Sequence, residues 1–138
     1  MFEWAGSPDG AFLHCRFYRK GGNVRIAVAD DGIGIPAALR GPGAPQLRGQ
    51  SDIAVVEAAA TRAGLSASPH SSRGLGLKLI RDLVIRRGGR LTLISHTALV
   101  SFGPGDAIRR RLCGFVRGTA VDLDFRPHLS GPAQEAIF

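Results

Sequence analysis

The sequence predicts a two-layer α/β sandwich, an α+β fold in which helices cover one face of a sheet. Two observations predict it. Several segments alternate apolar and polar residues with the two-residue period of strands, and segments with helical spacing lie between them. Strands with one covered face and helices inserted between them are typical of this architecture. With 138 residues, 44% of them hydrophobic, the chain suits one domain with its own core.

A β-hairpin is the first predicted element. Residues 11–20 alternate, Gly21-Gly22-Asn23 turns the chain, and a second alternating segment starts at Val24. In an extended chain Asp30 shares a face with the apolar residues of this second strand, so its carboxylate is predicted to point to the buried side of the sheet. A buried carboxylate needs a partner, which an N–H group of a ligand could supply. Alone, the segment also fits a plain Asp-Gly turn.

Helical segments and a Gly/Pro-rich stretch follow this strand. Residues 36–40 can start a short helix with an early proline, and residues 41–45 are rich in glycine and proline. Ser51 is the predicted N-cap of a helix over residues 52–63, which Gly64 ends. A polar loop is predicted over residues 65–73.

A second glycine-rich segment, residues 71–89, leads into an amphipathic helix that Gly88 and Gly89 end. Glycines at the start of a helix leave backbone N–H groups free, and these groups with the helix dipole favour an anion such as a phosphate. Gly74 and Gly76 are predicted to face it.

Three strand candidates complete the domain: residues 90–96, 98–102 and 118–126. They bring the predicted strands to five. The domain is predicted to span residues 1–126, and residues 127–138 are predicted to form a C-terminal tail.

Three of these segments together resemble a known family. Asp30-Asp31-Gly32-Ile33-Gly34-Ile35-Pro36 resembles the first glycine box of the Bergerat-fold (GHKL) ATPases, the superfamily of gyrase, Hsp90, sensor histidine kinases and MutL. Arg73-Gly74-Leu75-Gly76-Leu77 looks like the second box, and Gly118-Thr119 like the short element that closes the nucleotide site. The resemblance covers about residues 12–125. It implies a mixed, mostly antiparallel sheet and an ATP lid over residues 37–73.

The resemblance also implies a site for ATP or ADP. Asp30 would accept a hydrogen bond from the adenine amino group, and Thr119 would hold a nearby water. Gly32 and Gly34 would let the backbone pass close to base and sugar, and the second box would face the phosphates with Arg73 as a cation. The predicted nucleotide-binding residues are Asp30, Gly32, Gly34, Ile35, Ser72, Arg73, Gly74, Leu75, Gly76 and Thr119.

Two departures from the family pattern stand out. Ser72 occupies a position where the family often has a further glycine. The family also carries an earlier helix whose Asn binds Mg²⁺, and this chain begins too late to contain it, although Phe2-Glu3-Trp4 looks like its last turn. We therefore hypothesise a truncated product, which a stop codon immediately upstream would refute. No catalytic or metal-binding residue is predicted, and kinase or ATPase activity is expected only with that helix restored.

The predicted function is that of the ATP- or ADP-binding module of a bacterial regulatory ATPase of the sensor-kinase or anti-sigma-kinase type, acting in signal transduction. Gyrase, Hsp90 and MutL fit less well because they carry further large domains and longer lids. The alternative is a non-catalytic nucleotide-sensing or protein-docking module of the same fold. A regulatory protein partner or substrate is expected, and a homodimer is compatible with either function.

Other classes fit the sequence less well. The net charge of +7 suits an anionic ligand, but no aromatic residues interleave the densest arginine runs, residues 86–87 and 109–111, which argues against nucleic acid. No segment has the length of a membrane helix and residues 1–4 lack a leader pattern, so a cytoplasmic protein is predicted. Cys15 and Cys113 show neither metal nor disulfide spacing and are predicted to be buried thiols.

Two other nucleotide-binding motifs fit the sequence less well. Gly32-Ile33-Gly34-Ile35-Pro36-Ala37 matches the dinucleotide-binding pattern after a strand. However, Asp30 and Asp31 would repel a pyrophosphate, and Asp52 opens a helix instead of ending a second strand. A P-loop is excluded because the sequence contains no Gly-Lys-Ser/Thr.

Overall fold

The computed structural model describes residues 10–41, 44–62 and 76–127. Predictions that concern the first nine residues, most of the second glycine box and the tail beyond Pro127 lie outside these residues. The elements in chain order are β1 (Ala11–Tyr18), β2 (Asn23–Asp30), α1 (Gly34–Leu39), a 3₁₀ turn (Pro45–Leu47), α2 (Asp52–Thr61), α3 (Gly76–Arg86), β3 (Arg90–Phe102) and β4 (Ile108–Phe125).

The described strands form one four-stranded sheet in the order β1-β2-β4-β3. Every pairing is antiparallel: β1 with β2, β2 with β4 and β3 with β4. The predicted α+β class and the predicted hairpin are therefore confirmed. The strand count was wrong, since the described residues form four strands where the sequence pattern indicated five.

The difference in strand count comes from β3, which folds back on itself. His96 has a positive φ of 53°, and the pairing with β4 is irregular between Ser95 and Ala98. Thr92 and Ser101 would lie about 30 Å apart in a straight strand, yet their hydroxyl oxygens are 2.9 Å apart. The segments predicted as two strands, residues 90–96 and 98–102, are thus two adjacent halves of one element.

Strand β4 starts at Ile108, ten residues before the predicted start at 118. Residues 109–111 pair with the second half of β3, so this arginine run lies in a strand. Residues 112–115 lie between the two paired parts of β4 and have no partner in the register with β3. The alternation of Val121, Leu123 and Phe125 marked only the second half of β4, because its first half is largely exposed and has no clear period.

The core lies between the helices and the β3–β4 side of the sheet. Leu91 pairs with Leu123 and Leu93 pairs with Val121, and these side chains pack in one cluster with residues of α2 and α3. Leu13 on β1 shares this face but is 71% exposed, so the described helices cover the sheet unevenly. Cys15 and Cys113 are both exposed, and the prediction of buried thiols was wrong.

Helix ends follow the predicted signals. The Ser51 hydroxyl accepts a hydrogen bond from the Ala54 N–H at 3.2 Å and caps α2. At the end of α3, Gly88 has a φ of +66° and the Gly89 N–H donates to the Val84 carbonyl at 2.9 Å. This is the glycine-dependent helix stop that the Gly-Gly pair predicts.

Candidate functional site

Three polar side chains form a row across the sheet beneath the first glycine box. Asp30 ends β2 and pairs with Thr119 on β4, and Thr119 pairs with Ser95 on β3. These residues share the face that Val28, Val121 and Leu93 turn toward the helices. This register places Asp30 on the covered face of the sheet, in agreement with the prediction from strand alternation.

The Asp30 carboxylate is oriented by the turn that follows it. Oδ1 accepts a hydrogen bond from the Gly32 N–H at 2.9 Å, which closes a short side-chain-to-backbone turn. Asp30 itself is half-buried. Because a carboxylate has two acceptor oxygens, this bond leaves Oδ2 able to accept from another donor.

Ser95 joins the first glycine box to the Gly118-Thr119 element. Its hydroxyl is completely buried and donates to the Gly118 carbonyl at 2.6 Å. It also accepts from the Ile35 N–H at 3.0 Å and lies 3.2 Å from the Thr119 hydroxyl. Since the Ser95 proton points to Gly118, the Thr119 hydroxyl donates to Ser95 and keeps its own lone pairs as acceptors.

Two glycines of the site are required by close packing. Gly34 has a φ of +82°, and a Cβ there would lie 2.8 Å from Ser95 Oγ and would also overlap the His96 ring. Gly118 has a φ of +80°, and a Cβ there would collide with the Asp30 carbonyl oxygen. Both positions therefore require glycine because protein atoms occupy the space of a Cβ, whether or not a ligand also needs that space.

His96 is a structural neighbour of the first box. Its Nε2 lies 2.7 Å from the Ile33 carbonyl oxygen, so Nε2 carries the proton and donates. Its ring stacks at a tilt on Phe115, with centroids 4.4 Å apart. The sequence pattern singled out neither Ser95 nor Phe115. A serine close to the end of the predicted strand 90–96 would have been the one available signal for Ser95.

The remaining predicted site residues divide into three groups. Ile35 contributes its N–H to Ser95 while its side chain packs against the core. Gly76 begins α3, is exposed and has open space where a Cβ would be. Ser72, Arg73, Gly74 and Leu75 lie outside the described residues. The structure therefore brings Asp30, Gly32, Gly34, Ile35 and Thr119 together, and most of the predicted phosphate-binding residues lie outside the described residues.

Asp52, the first residue of α2, joins this helix to the turn in β3 by hydrogen bonds and to the end of α1 by an ion pair. Asp52 Oδ2 accepts from the Thr97 hydroxyl at 2.6 Å and from the Thr97 N–H at 3.2 Å, and Oδ1 lies 2.8 Å from the Arg40 guanidinium. Burial is the largest single influence and raises the pKa of Asp52. The Thr97 and Arg40 contacts together outweigh burial and place the pKa below its usual 3.8.

A second charged contact joins the middle of α2 to the first half of β4. Arg109 Nε donates to Glu57 Oε2 at 2.8 Å, and a second guanidinium nitrogen of Arg109 donates to Glu57 Oε1. This hydrogen-bonded guanidinium, opposed in part by burial, holds the pKa of Glu57 below its usual value. The described residues contain no cluster of three or more His, Cys, Asp or Glu side chains that could hold a metal ion.

The fold and the three glycine segments define a class of nucleotide-binding ATPase domains, and a comparison with protein families agrees. The family described as "Histidine kinase-, DNA gyrase B-, and HSP90-like ATPase" matches residues 5–125. The chain belongs to this family and is an ATP-binding module of the GHKL type. A search of curated proteins returns no significant match. Among the described helices, none has the length and apolar character needed to cross a membrane.

Proposed function

We propose that the chain is the ATP- or ADP-binding module of a regulatory ATPase of the sensor-kinase or anti-sigma-kinase type, with Asp30 as the residue that recognises adenine. One observation supports this most directly: the Asp30 carboxylate is fixed by Gly32 through one oxygen, which leaves the other for a ligand N–H. The exocyclic amino group of adenine is such a donor. A charge-assisted bond of this kind is among the stronger hydrogen bonds.

Thr119 supports the same assignment. Thr119 lies beside Asp30 in the sheet register, and the residue is 6% exposed. Because its hydroxyl proton is directed to Ser95, its hydroxyl oxygen can accept from a water that bridges to the base. A site that offers one carboxylate oxygen and one water-bound hydroxyl discriminates between bases by the donors and acceptors on their edges.

The other parts of the proposed site follow the family pattern. Gly32 and Gly34 would lie against base and sugar, and Ile35 would close the apolar side. The phosphates would meet the backbone N–H groups of residues 72–76 and the Arg73 guanidinium, with residues 37–73 as the lid. The proposed module spans residues 1–126, and residues 127–138 would follow it as a tail.

Magnesium does not fit the residues of this chain. The family's magnesium ligand is an Asn, and the only asparagine of the sequence is Asn23. Asn23 starts β2, at the opposite end of the strand from Asp30, and donates to Asp124 at 3.0 Å. We therefore propose nucleotide binding by this chain and derive no phosphoryl transfer from it.

The regulatory type of the module is a proposal from the family resemblance. Sensor-kinase and anti-sigma-kinase modules are compact ATP-binding domains that act on a partner protein in the cytoplasm, which suits a single domain with a short predicted lid. A partner or substrate protein, and a second copy of the chain, are the macromolecules such a module would contact.

A second candidate function is a non-catalytic sensing or docking module of the same fold. One observation favours it. Large apolar side chains are exposed on the sheet, with Phe12 at 86%, Leu13 at 71% and Phe115 at 65%. Such a module would bind nucleotide weakly or not at all and would act through a folded surface.

Calorimetric titration with ADP, and with ATP in the presence of Mg²⁺, tests the proposal. The key variant is Asp30→Asn, since it replaces one of the two carboxylate oxygens by an NH₂ donor, which would face either the Gly32 N–H or the adenine amino group without an acceptor. We expect ADP affinity to fall roughly tenfold or more. Asp106→Asn is the matched control, because it removes the same charge from an exposed position in the β3–β4 loop. It should leave affinity unchanged.

The outcomes separate the two functions. ADP binding that is lost only in Asp30→Asn supports the adenine site. An equal loss in both variants would show that net charge, and not the Asp30 contact, is being measured. If the parent chain binds neither nucleotide, the ATP-binding assignment of this site fails and the docking module is favoured.

A further inference from the structure

A second concave site lies at the end of the sheet farthest from Asp30. It is a cavity of about 400 Å³ where the start of β2, the glycine turn after α3 and the end of β4 meet. This volume lies in the range of small-molecule sites. The lining residues are Asn23, Arg87, Gly88, Gly89, Arg90, Pro104, Asp124, Phe125 and Arg126.

Three arginines in the lining make this cavity positively charged. Arg87 lies in the turn after α3, Arg90 starts β3 and Arg126 follows β4, so the guanidinium groups come from three separate places in the fold. None of them forms an ion pair with a described residue, whereas Arg25, Arg40 and Arg109 all do. The one carboxylate in the lining, Asp124, leaves the wall with a net positive charge.

The cavity wall is held in place by specific contacts. Arg90 donates to the Ser101 hydroxyl at 3.0 Å, and its guanidinium packs over Gly103, where a Cβ would lie 2.8 Å from its nearest nitrogen. Gly89 lies directly against the Asp124 backbone, a position that also excludes a side chain. Asp124 is itself oriented by the 3.0 Å hydrogen bond from Asn23.

We propose that this cavity binds a small phosphorylated ligand, at a site separate from the candidate nucleotide site. A phosphoryl group offers three oxygens in different directions, which suits a lining to which three separate elements each contribute an arginine. A single carboxylate is planar and is satisfied by one guanidinium fork. Asp124 favours a ligand that carries a hydroxyl donor near its phosphoryl group, since a carboxylate can only accept.

Inorganic pyrophosphate is the probe for the test, added to the ¹⁵N-labelled full chain while amide NMR shifts are recorded. The experiment is run with and without saturating ADP, which keeps the two sites distinguishable. We expect saturable shifts of the Gly88 and Gly89 amides that persist with ADP and weaken as NaCl concentration rises. Tricarballylate, a carboxylate probe of similar charge, should bind at least about fivefold more weakly.

Arg87→Gln and Arg126→Gln are the test variants, because both arginines are exposed and their replacement leaves the core intact. Each should weaken pyrophosphate binding about tenfold. Arg110→Gln is the matched control, since it removes an exposed arginine from β4 outside the cavity lining, and it should bind like the parent chain.

Three results would overturn the proposal. Equal weakening in Arg110→Gln would assign the binding to overall charge. Shifts confined to the Asp30 end of the sheet, or abolished by ADP, would assign pyrophosphate to the nucleotide site. Equal affinity for tricarballylate would replace phosphoryl recognition by general anion binding.

Discussion

Ser95 Oγ donates a 2.6 Å hydrogen bond to the Gly118 carbonyl while it accepts a 3.0 Å bond from the Ile35 N–H. This one buried hydroxyl therefore connects the first glycine box to the element that pairs with Asp30. Its two bonds are made to one backbone group of each element, the N–H of Ile35 in α1 and the carbonyl of Gly118 in β4. The position of the first box relative to Thr119 depends on it.

Replacing Ser95 by alanine is expected to destabilise the protein. The change leaves the Ile35 N–H and the Gly118 carbonyl without this partner in a buried place, which costs about 2 to 4 kcal/mol in the free energy of unfolding. Urea denaturation of the parent chain and Ser95→Ala measures the difference.

Ser101→Ala is the control for this prediction. Ser101 is also buried on β3, but its hydroxyl contacts Arg90 and Thr92 and no glycine-box residue. It should lower stability while ADP affinity is retained, whereas Ser95→Ala should lower both. Equal ADP affinity in the two variants would refute the role assigned to Ser95.

Gly118→Ala tests the close packing beneath Asp30. The position has a φ of +80° and no space for a Cβ, so we expect a loss of at least about 2 kcal/mol from backbone strain and overlap together. Gly22→Ala is the matched control, because Gly22 has a φ of +64° with open space around it. It should cost about 1 kcal/mol. Similar losses at both positions in thermal or urea unfolding would contradict the packing argument.

Much of the fold could be predicted from local sequence signals. The hairpin, the Ser51 cap and the Gly88-Gly89 helix stop each depend on residues that are neighbours in the chain. The five-strand count was wrong because the turn at His96 joins two halves that the sequence pattern separates. The first half of β4 was missed because an exposed, arginine-rich strand carries no alternating apolar signal.

The candidate site was predictable only in part. Asp30 could be assigned to the covered face from strand alternation, and the register with Thr119 agrees. Ser95 could not be found in the same way, since its function depends on contacts with Ile35 and Gly118, which lie 60 and 23 residues away. The contact of Asp52 with Thr97 is missed for the same reason: its partners are 45 residues apart.

The ion pair between Glu57 and Arg109 should contribute stability that depends on salt. Arg109 is about half exposed, so solvent screens the interaction and the contribution is modest. We expect Arg109→Gln to lower the melting temperature at low salt, with the difference narrowing at molar NaCl. Arg110→Gln removes a neighbouring exposed charge and should show a smaller effect. A difference that stays constant with salt would show that Arg109 acts through packing instead.

Asp52 should make the stability of the protein depend on pH. Its pKa in the folded state lies below 3.8 because the bonds from Thr97 and Arg40 outweigh the effect of burial. A lowered folded-state pKa means that the ionised carboxylate stabilises the fold above the unfolded pKa, and that this contribution is lost as pH falls through the folded value. Asp52→Asn should therefore be less stable than the parent chain at neutral pH, and the gap should shrink below about pH 4.

The gap in the free energy of unfolding between the parent chain and Asp52→Asn is measured by denaturant unfolding. The measurement covers pH 2.5 to 7, about the range in which carboxyl groups titrate. Thr97→Val provides an independent check, since it removes the hydroxyl at 2.6 Å from Asp52 while keeping the side-chain shape and the backbone N–H contact. Without this donor the folded-state pKa of Asp52 rises. In the Thr97→Val background, the effect of adding Asp52→Asn on the free energy of unfolding should therefore disappear at a higher pH than it does in the parent chain. A gap between parent and Asp52→Asn that stays constant down to pH 2.5 would show that Asp52 stabilises the contact between α2 and β3 by its shape and hydrogen bonding, without its charge.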